Sequence, residues 1–394
     1  MKISYNFVMS MKEHIEEAFV KVFGNREDFI SVTTPGRANL IGEHVDYQGG
    51  HVLPMAVNRF IYCTGRKRTD NKIKLFSFNY NESFEADTQN ISFQSAAKWP
   101  NYILGVVQEF KKLGHSMPGM EIVFGGDVPV GSGLSSSAAV EICTAVFMEK
   151  MYDIKIEPVE LIKLARRAEN EFVGVQCGIM DQFAVHLSKK KSALLLDCGS
   201  LEYRHVPLQT GSAGFLLVDT KKERSLSSSV YNERVRSVTE SLSVIRKHES
   251  VEFLTQVEDM AAYRNILSGE NFKRALHIWE ENRRVLSAVK SLEDGMTDDF
   301  GKAMYESHAS LRDLYEVSCD ELDFIVNFSK ESDGVKGARL TGAGMGGCAI
   351  VLLEKNKIPD YSEKLSALYA NRFGRKPKFY DVEPVNGAHF ENNP

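Results

Sequence analysis

The stretch Gly125-Gly-Asp-Val-Pro-Val-Gly-Ser-Gly-Leu-Ser-Ser-Ser-Ala-Ala139 reads as a turn-rich loop that feeds straight into a helix. Met120-Glu-Ile-Val-Phe124 before it has the composition of a short strand. Behind it, Ala139, Cys143, Val146 and Phe147 recur at i, i+4, i+7 and i+8 and form one apolar helical stripe. Glycine has no Cβ, so the backbone here can turn tightly and come close to a ligand. Ser135, Ser136 and Ser137 stand where the first unbonded N–H groups of the helix point outward. Those groups, the hydroxyls and the positive end of the helix dipole together make an anion site, and phosphate is its natural guest. Gly/Ser-rich turns that merely cap helices are common, so this loop alone decides nothing. No Gly-Lys-Ser or Gly-Lys-Thr follows to make it a P-loop.

A chain of 394 residues exceeds the size at which one core keeps growing, so two domains are expected, 1–207 and 208–394. The boundary falls where the pattern loosens, around 205–212. An apolar content of 43% with 26% charged residues fits a globular protein and excludes a largely disordered one. The net charge of −5 and the lack of a dense basic stripe with interleaved aromatics exclude a nucleic-acid partner. Six scattered cysteines, with no C-x-x-C pair, favour reduced thiols over disulfides or zinc. No apolar run is long enough for a membrane span, and Met1–Ser10 lacks the apolar core of a signal peptide. A cytoplasmic monomer is the expectation.

Taken in order, the chain predicts a helix over Met11–Phe23 and then the loop Thr34-Pro-Gly-Arg-Ala-Asn-Leu-Ile-Gly-Glu-His-Val-Asp-Tyr-Gln-Gly-Gly50. Four glycines, Arg37, Glu43, His44 and Asp46 in seventeen residues suit a ligand-binding loop as well as a polar surface turn. Glu43 and Asp46 could accept charge-assisted hydrogen bonds from neighbouring sugar hydroxyls. A strand over 52–66 with a hairpin partner over 72–78, and a helix over Tyr102–Leu113 capped by Gly114, come next. The helix opened by Glu157-Pro-Val-Glu160 carries Glu169 on the shoulder of its stripe, either solvated or turned inward to hold a cation. In Gly174-Val-Gln-Cys-Gly-Ile-Met-Asp-Gln182, Asp181 is a helix N-cap or a general base. Further strands are expected at Ser192–Asp197, Gly214–Asp219, Val335–Leu340 and Cys348–Leu353. Helices are expected from near Tyr231, at 272–290 and at 302–329. Thr341-Gly-Ala-Gly-Met-Gly-Gly347 is a second glycine loop.

Separated glycine loops, a cluster of Arg, Glu, His and Asp, and an isolated Asp are what a small-molecule kinase needs, because phosphoryl transfer is mostly positioning and charge stabilisation. Gly36-Arg-Ala-Asn-Leu-Ile-Gly-Glu-His-Val-Asp-Tyr47 resembles the signature of the galactokinases, a family of the GHMP small-molecule kinase superfamily. Pro129-Val-Gly-Ser-Gly-Leu-Ser-Ser-Ser-Ala138 resembles the superfamily's ATP loop, and Cys177–Gln182 and Leu340–Gly347 resemble two further motifs. The resemblance runs from about residue 20 to Gly387. It implies an α+β, two-domain GHMP kinase fold, with a ribosomal-S5-like N-terminal domain, a ferredoxin-like C-terminal domain and the site in the cleft between them.

The resemblance also implies roles. Asp181 takes the proton from the anomeric hydroxyl and Arg37 stabilises the transferring phosphoryl group. Glu43, His44, Val45, Asp46, Gly178 and Tyr231 surround galactose. Gly131, Ser132, Gly133, Leu134, Ser135, Ser136 and Ser137 wrap the phosphates of ATP, while Ser137 and Glu169 hold Mg²⁺. Departures from the family pattern fall at Val45, Gln48, Gly199, Val230, Val235, Ala343 and Met345, none of them a proposed catalytic group. Recruitment as a non-catalytic sugar sensor, or action on N-acetylgalactosamine, arabinose or galacturonate, are the competing readings.

Overall fold

In this computed structural model, residues 9–25, 27–129, 131, 133–222 and 227–391 are described. The runs of β-branched and aromatic residues in the first half form strands, and the periodic segments form helices. The order is α1 (Met11–Phe23), β1 (Ile30–Asn39), β2 (His51–Val52), β3 (Pro54–Lys67), β4 (Lys72–Ser77), β5 (Glu82–Asp87), α2 (Pro100–Lys112), β6 (Met120–Gly126), α3 (Ser136–Tyr152), α4 (Pro158–Arg167), α5 (Met180–Leu187), β7 (Ser192–Asp197) and β8 (Tyr203–Pro207). The remainder runs β9 (Ala213–Asp219), α6 (Ser227–Ile245), α7 (Gly269–Glu293), α8 (Thr297–Asp313), α9 (Asp320–Lys330), β10 (Val335–Thr341), β11 (Cys348–Glu354), α10 (Ile358–Phe373), β12 (Lys378–Val382) and β13 (His389–Glu391). Among the described residues no helix is long and apolar enough to cross a membrane.

The larger sheet has the order β13-β1-β3-β6-β4-β5. Here the expected pairing of 72–78 with 52–66 is corrected: β4 pairs antiparallel with β5 and parallel with β6, while β3 lies between β1 and β6. The cause is a dock at Gly119. Its N–H donates to the Asp70 carbonyl at 2.6 Å, and its own carbonyl accepts from Arg68 N–H at 2.8 Å. A Cβ at Gly119 would overlap the Lys72 carbonyl. The entry to β6 is thereby pressed into the turn after β3, and β6 takes the place the hairpin partner would have had.

Helix α3 packs on β1 and β3 and is flanked by α2, α4 and α5. Its apolar residues are buried on nearly every side, Ile142, Val146 and Phe147 among them. Each such side chain contributes about 1.5–3 kcal/mol when taken from water. Ser135 stands at its N-cap, so the first orphan N–H groups lie where the glycine-rich loop ends.

The second sheet, β10-β11-β9-β12, is antiparallel, with α8 and α9 packed on β10. The single helix expected over 302–329 is two, α8 and α9, broken at Leu314–Cys319. Glu316 turns into the left-handed region at φ 59°, and Arg234 captures the carbonyls of Tyr315 and Glu316 at 2.7 and 2.9 Å. Those carbonyls would otherwise have served a continuing helix. A third sheet, β2-β7-β8, lies beside α7. After β12 the chain returns to the first half: β13 pairs with β1, and Val385 N–H donates to the Ala56 carbonyl at 3.1 Å.

Helix α8 approaches β10 closely because Gly301 and Gly337 face each other. A Cβ on Gly301 would overlap the Lys336 carbonyl, a backbone atom that cannot swing aside. Gly301→Ala is therefore expected to destabilise the protein by about 1–3 kcal/mol through overpacking, despite alanine's better helix propensity. Urea unfolding of the variant beside the parent checks this, and an unchanged midpoint would refute the contact.

Candidate active site

The loop after β1 is built around a carboxylate. Gly42 takes φ 101° and His44 φ 64°, so the chain doubles back between β1 and the 3₁₀ turn Asp46–Gln48. The turn drives Glu43 inward, where only 2% of it remains exposed. Asn39 Nδ2 donates to Glu43 Oε2, Gly342 N–H donates to Oε1, and Arg339 Nη1 stands 3.4 Å from Oε2. Burial pushes the Glu43 carboxyl up, and the charges of Arg339 and Arg37 oppose that shift. Arg339, also fully buried, donates to the Asn39 carbonyl at 3.1 Å. One carboxylate thus binds the first glycine-rich loop to the second.

His44 Nδ1 lies 2.9 Å from the Tyr47 hydroxyl, and Nε2 lies 3.3 Å from the Ala343 carbonyl. Burial lowers the imidazole to about 3, so the ring is neutral at ordinary pH. Asp46 folds over Gly178 so tightly that a Cβ there would overlap its carboxylate. Packing raises Asp46 to about 6, and the nearby charge of Asp181 adds to that. Tyr231, on α6, closes the space from the second half, its ring 5.6 Å from that of His44.

Asp181 is not an N-cap: it lies in the first turn of α5, with Ile179 at the cap. A carboxylate suits that position through the helix dipole. Arg37 Nε donates to Asp181 Oδ1 at 2.8 Å, and the Ser135 hydroxyl donates to Oδ2. Arg37 Nη1 donates to the Gly133 carbonyl, and Arg37 N–H to the Leu134 carbonyl at 3.1 Å. Gly36 makes this possible, since a Cβ there would meet the Leu134 carbonyl at 2.8 Å. Ser135, in the left-handed conformation at φ 56°, spends its hydroxyl on Asp181 instead of capping α3. A Cβ at Gly342 would lie 3.1 Å from the Gly133 carbonyl, so the two glycine loops abut.

Glu169 is buried, turned inward by the π-helical turn Ala168–Val173 that follows α4. Gln182 Nε2 donates to Glu169 Oε2 at 2.8 Å and to Glu141 Oε2 at 3.2 Å, and Cys177 Sγ–H donates to the same Glu169 oxygen at 3.1 Å. Burial raises both Glu169 and Glu141, and the charge of Glu169 drives Glu141 higher still. Ser137 hydrogen-bonds Glu169 and favours its charged form. These are hard oxygen donors, the kind that suit Mg²⁺. Among the described residues no group of three or more His, Cys, Asp and Glu could hold a metal alone.

These groups meet in one cavity of about 620 Å³, lined by Arg37, Glu43, His44, Asp46, Ser137, Glu169, Gly178, Asp181 and Tyr231. Val45 has its side chain fully buried beneath Gly50, and its carbonyl accepts the N–H groups of Gln48 and Gly50. It shapes the loop and does not face the cavity. Leu134 likewise sends its side chain into the core. Gly131 and Gly133 take φ 74° and 88° in the loop before α3, and Ser132 lies outside the described residues. Sequence reasoning missed a second cleft of about 280 Å³, which shares Tyr102 and Ser137 with the first and is walled by Tyr80, Trp99, Phe124 and Val128. Only Trp99-Pro100 at the start of α2 hinted at it. Arg339 and Tyr315 carried no motif signal at all.

The galactokinase galactose-binding signature matches residues 17–67, the GHMP kinases N terminal domain 101–189, and the GHMP kinases C terminal 288–371. A galactokinase from Clostridium tetani is 42% identical over 381 residues, spanning 95% of this chain and 96% of its own. This chain belongs to the galactokinase family. The galactokinase of Bacillus subtilis is 37% identical over 96% of this chain and 98% of its own. The crystal structure of Lactococcus lactis galactokinase complexed with galactose superposes with a TM-score of 0.94 at 33% identity, covering 96% of this chain and all of that one. Methanococcus jannaschii mevalonate kinase, at 21% identity, covering 92% of this chain and 100% of its own with a TM-score of 0.67, shares the fold. The fold is accordingly that of the GHMP kinases, with N- and C-terminal domains.

Within this galactokinase fold, removing Arg339 would leave Glu43 buried without its main counter-charge. Arg339→Met is expected to lower stability by about 3–5 kcal/mol, the cost of breaking a buried pair from one side. Adding Glu43→Gln should recover part of that loss. Denaturant titration of the single and double variants measures both, and equal midpoints for Arg339→Met and the parent would rule the pair out as a structural bond.

Proposed function

We propose that this protein is a galactokinase that transfers the γ-phosphoryl group of ATP to the C1 hydroxyl of galactose, giving galactose 1-phosphate and ADP. The observation that carries the reading is the Arg37–Asp181 pair at 2.8 Å, standing in the same cavity as Glu43, His44 and Asp46. The carboxylate of Asp46 accepts from sugar hydroxyls, Tyr231 covers the sugar, and Gly178 leaves room for Asp46 to take its place. The apolar cleft beside Trp99 receives the base of the nucleotide. Its phosphates then run along Gly131–Ser137 toward Asp181.

Asp181 accepts the proton of the C1 hydroxyl as the bond from that oxygen to the γ-phosphorus forms and the bond to the bridging oxygen of ADP breaks. Ser135 and Arg37 aim its two oxygens, and the Arg37 guanidinium faces the negative charge on the transferring group. Such a transition state is loose, so placement and charge matter more than base strength. Ser137 and Glu169 would hold Mg²⁺, which when bound offsets the charge of the phosphates. The carboxyls of Glu43 and Asp46 on the sugar side of the cavity disfavour a sugar acid such as galacturonate, whose own carboxylate they would repel. None of the six cysteines is in a disulfide, which supports a cytoplasmic setting.

An ATP/Mg²⁺-coupled assay across galactose, glucose, N-acetylgalactosamine, arabinose and galacturonate tests the assignment. Strong preference for galactose supports it, and binding without turnover points instead to a sensor. Asp181→Ala is expected to lower kcat by about a hundred- to ten-thousandfold while galactose still binds. Near-normal turnover would remove Asp181 from its role.

The raised Asp46 gives a pH dependence. Its carboxyl moves from 3.8 to about 6 in the folded protein, so the accepting form is lost as pH falls through 6. Galactose affinity, measured by calorimetry without nucleotide, should be level between pH 7 and 8 and weaken by up to about tenfold per unit below 6. Asp46→Asn should flatten that limb; a limb that persists assigns the titration elsewhere.

A further inference from the structure

Tyr315 lies outside the cavity and is fully buried in the break between α8 and α9, yet three parts of the site converge on it. Its ring lies 4.7 Å from that of His44 and 4.6 Å from that of His277. Arg234, on the helix that carries Tyr231, donates to its carbonyl at 2.7 Å. Two residues on, the Val317 carbonyl accepts from Met345 N–H at 2.8 Å, in the second glycine loop. Its hydroxyl is 2.6 Å from that of Tyr47.

The directions of these bonds follow from counting protons. The Ala343 carbonyl only accepts, so His44 Nε2 must carry the hydrogen. In a neutral ring Nδ1 is then an acceptor, and the Tyr47 hydroxyl donates to it at 2.9 Å. Tyr47 has one proton and has spent it. Its oxygen therefore accepts from the Tyr315 hydroxyl. The chain runs one way only, from Tyr315 to Tyr47 to His44 to Ala343.

We propose that Tyr315 is a positioning residue for the sugar site: its hydroxyl, through Tyr47, fixes the tautomer and the orientation of His44 in the cavity wall. The inference rests on the galactokinase reading of that cavity. Both ring nitrogens of His44 are occupied by the protein, so the ring serves galactose as a shaped wall more than as a hydrogen-bond donor. His44 also holds a left-handed backbone that a non-glycine residue seldom adopts, and the two ring bonds pin it there. Removing the Tyr315 hydroxyl leaves Tyr47 free to point its proton away from His44, and the wall loosens.

The test is Tyr315→Phe in the full chain, which keeps the ring stack and deletes only the hydroxyl. The galactose KM is expected to rise about two- to tenfold, the worth of one net hydrogen bond. The ATP KM and kcat should stay within about twofold. Long-range ¹H–¹⁵N spectra of the histidines should show His44 as the Nε2–H tautomer in the parent and as a mixture in the variant. An unchanged galactose KM, a loss confined to kcat, or an Nδ1–H tautomer in the parent would overturn the proposal. Should Tyr315→Phe fail to fold, Tyr47→Phe breaks the same chain and must give the same split and the same spectrum. If the parent does not turn over galactose, the functional reading fails, while the spectra still decide the hydrogen-bond chain.

Discussion

A carboxylate buried between two glycine-rich loops is stable only if every neighbour is arranged for it, and Glu43 sets that condition here. An unpaired carboxylate in such a place would cost several kcal/mol. Asn39, the Gly342 N–H and Arg339 meet the cost, and they come from residues about 300 positions apart. Arg339 is itself fully buried, with Nε and Nη2 unpartnered among the described residues, so its charge is committed to Glu43 and to the Asn39 carbonyl. The pair therefore fixes β10 against β1. With that contact made, Gly342 rests against Gly133, and the phosphate-side loop has only one place to lie.

The same constraint organises the charges of the cavity. Arg37 stands one strand position from the bulge between Pro35 and Gly36, and its backbone N–H holds the Leu134 carbonyl while its side chain holds Asp181. The loop expected to cradle phosphate thus also carries Ser135, which orients the proposed base. Nucleotide and base are not independent modules. Any ligand that moves Ser135 also moves a partner of Asp181. On the other wall, Glu141 shares the amide of Gln182 with Glu169, and its Oε1 has no partner among the described residues. Two buried carboxyls so close cannot both be charged cheaply, and burial together with the charge of Glu169 pushes Glu141 up.

What could be read beforehand was local. The Gly125–Ala139 stretch, the Arg37–Asp46 cluster and Asp181 announce themselves because glycine, serine and charge sit where a fold made only for packing would not put them. Helix α1 and the strands Ser192–Asp197 and Cys348–Glu354 were visible from periodicity and apolar runs. The pairing of β4 with β6 was not, since it depends on Gly119 meeting Asp70 and Lys72, a contact with no periodic trace. Nor was the break between α8 and α9, which Arg234 holds from another helix. Val45 stands among the candidate site residues, yet its β-branched side chain faces Gly50 and goes inward, a direction only the fold supplies.

Tyr315 shows why motif reading stops at the cavity wall. Its sequence neighbourhood, Leu314-Tyr-Glu-Val317, is an ordinary helix end, and nothing in it asks for chemistry. Only the fold brings its hydroxyl to Tyr47, and only the acceptor at Ala343 gives that hydroxyl a direction. Ala343 belongs to the glycine loop that Glu43 anchors through Gly342. The buried carboxylate and the oriented imidazole are therefore two ends of one arrangement. Glu43 fixes where the carbonyl stands, and that carbonyl fixes which nitrogen of His44 carries the proton.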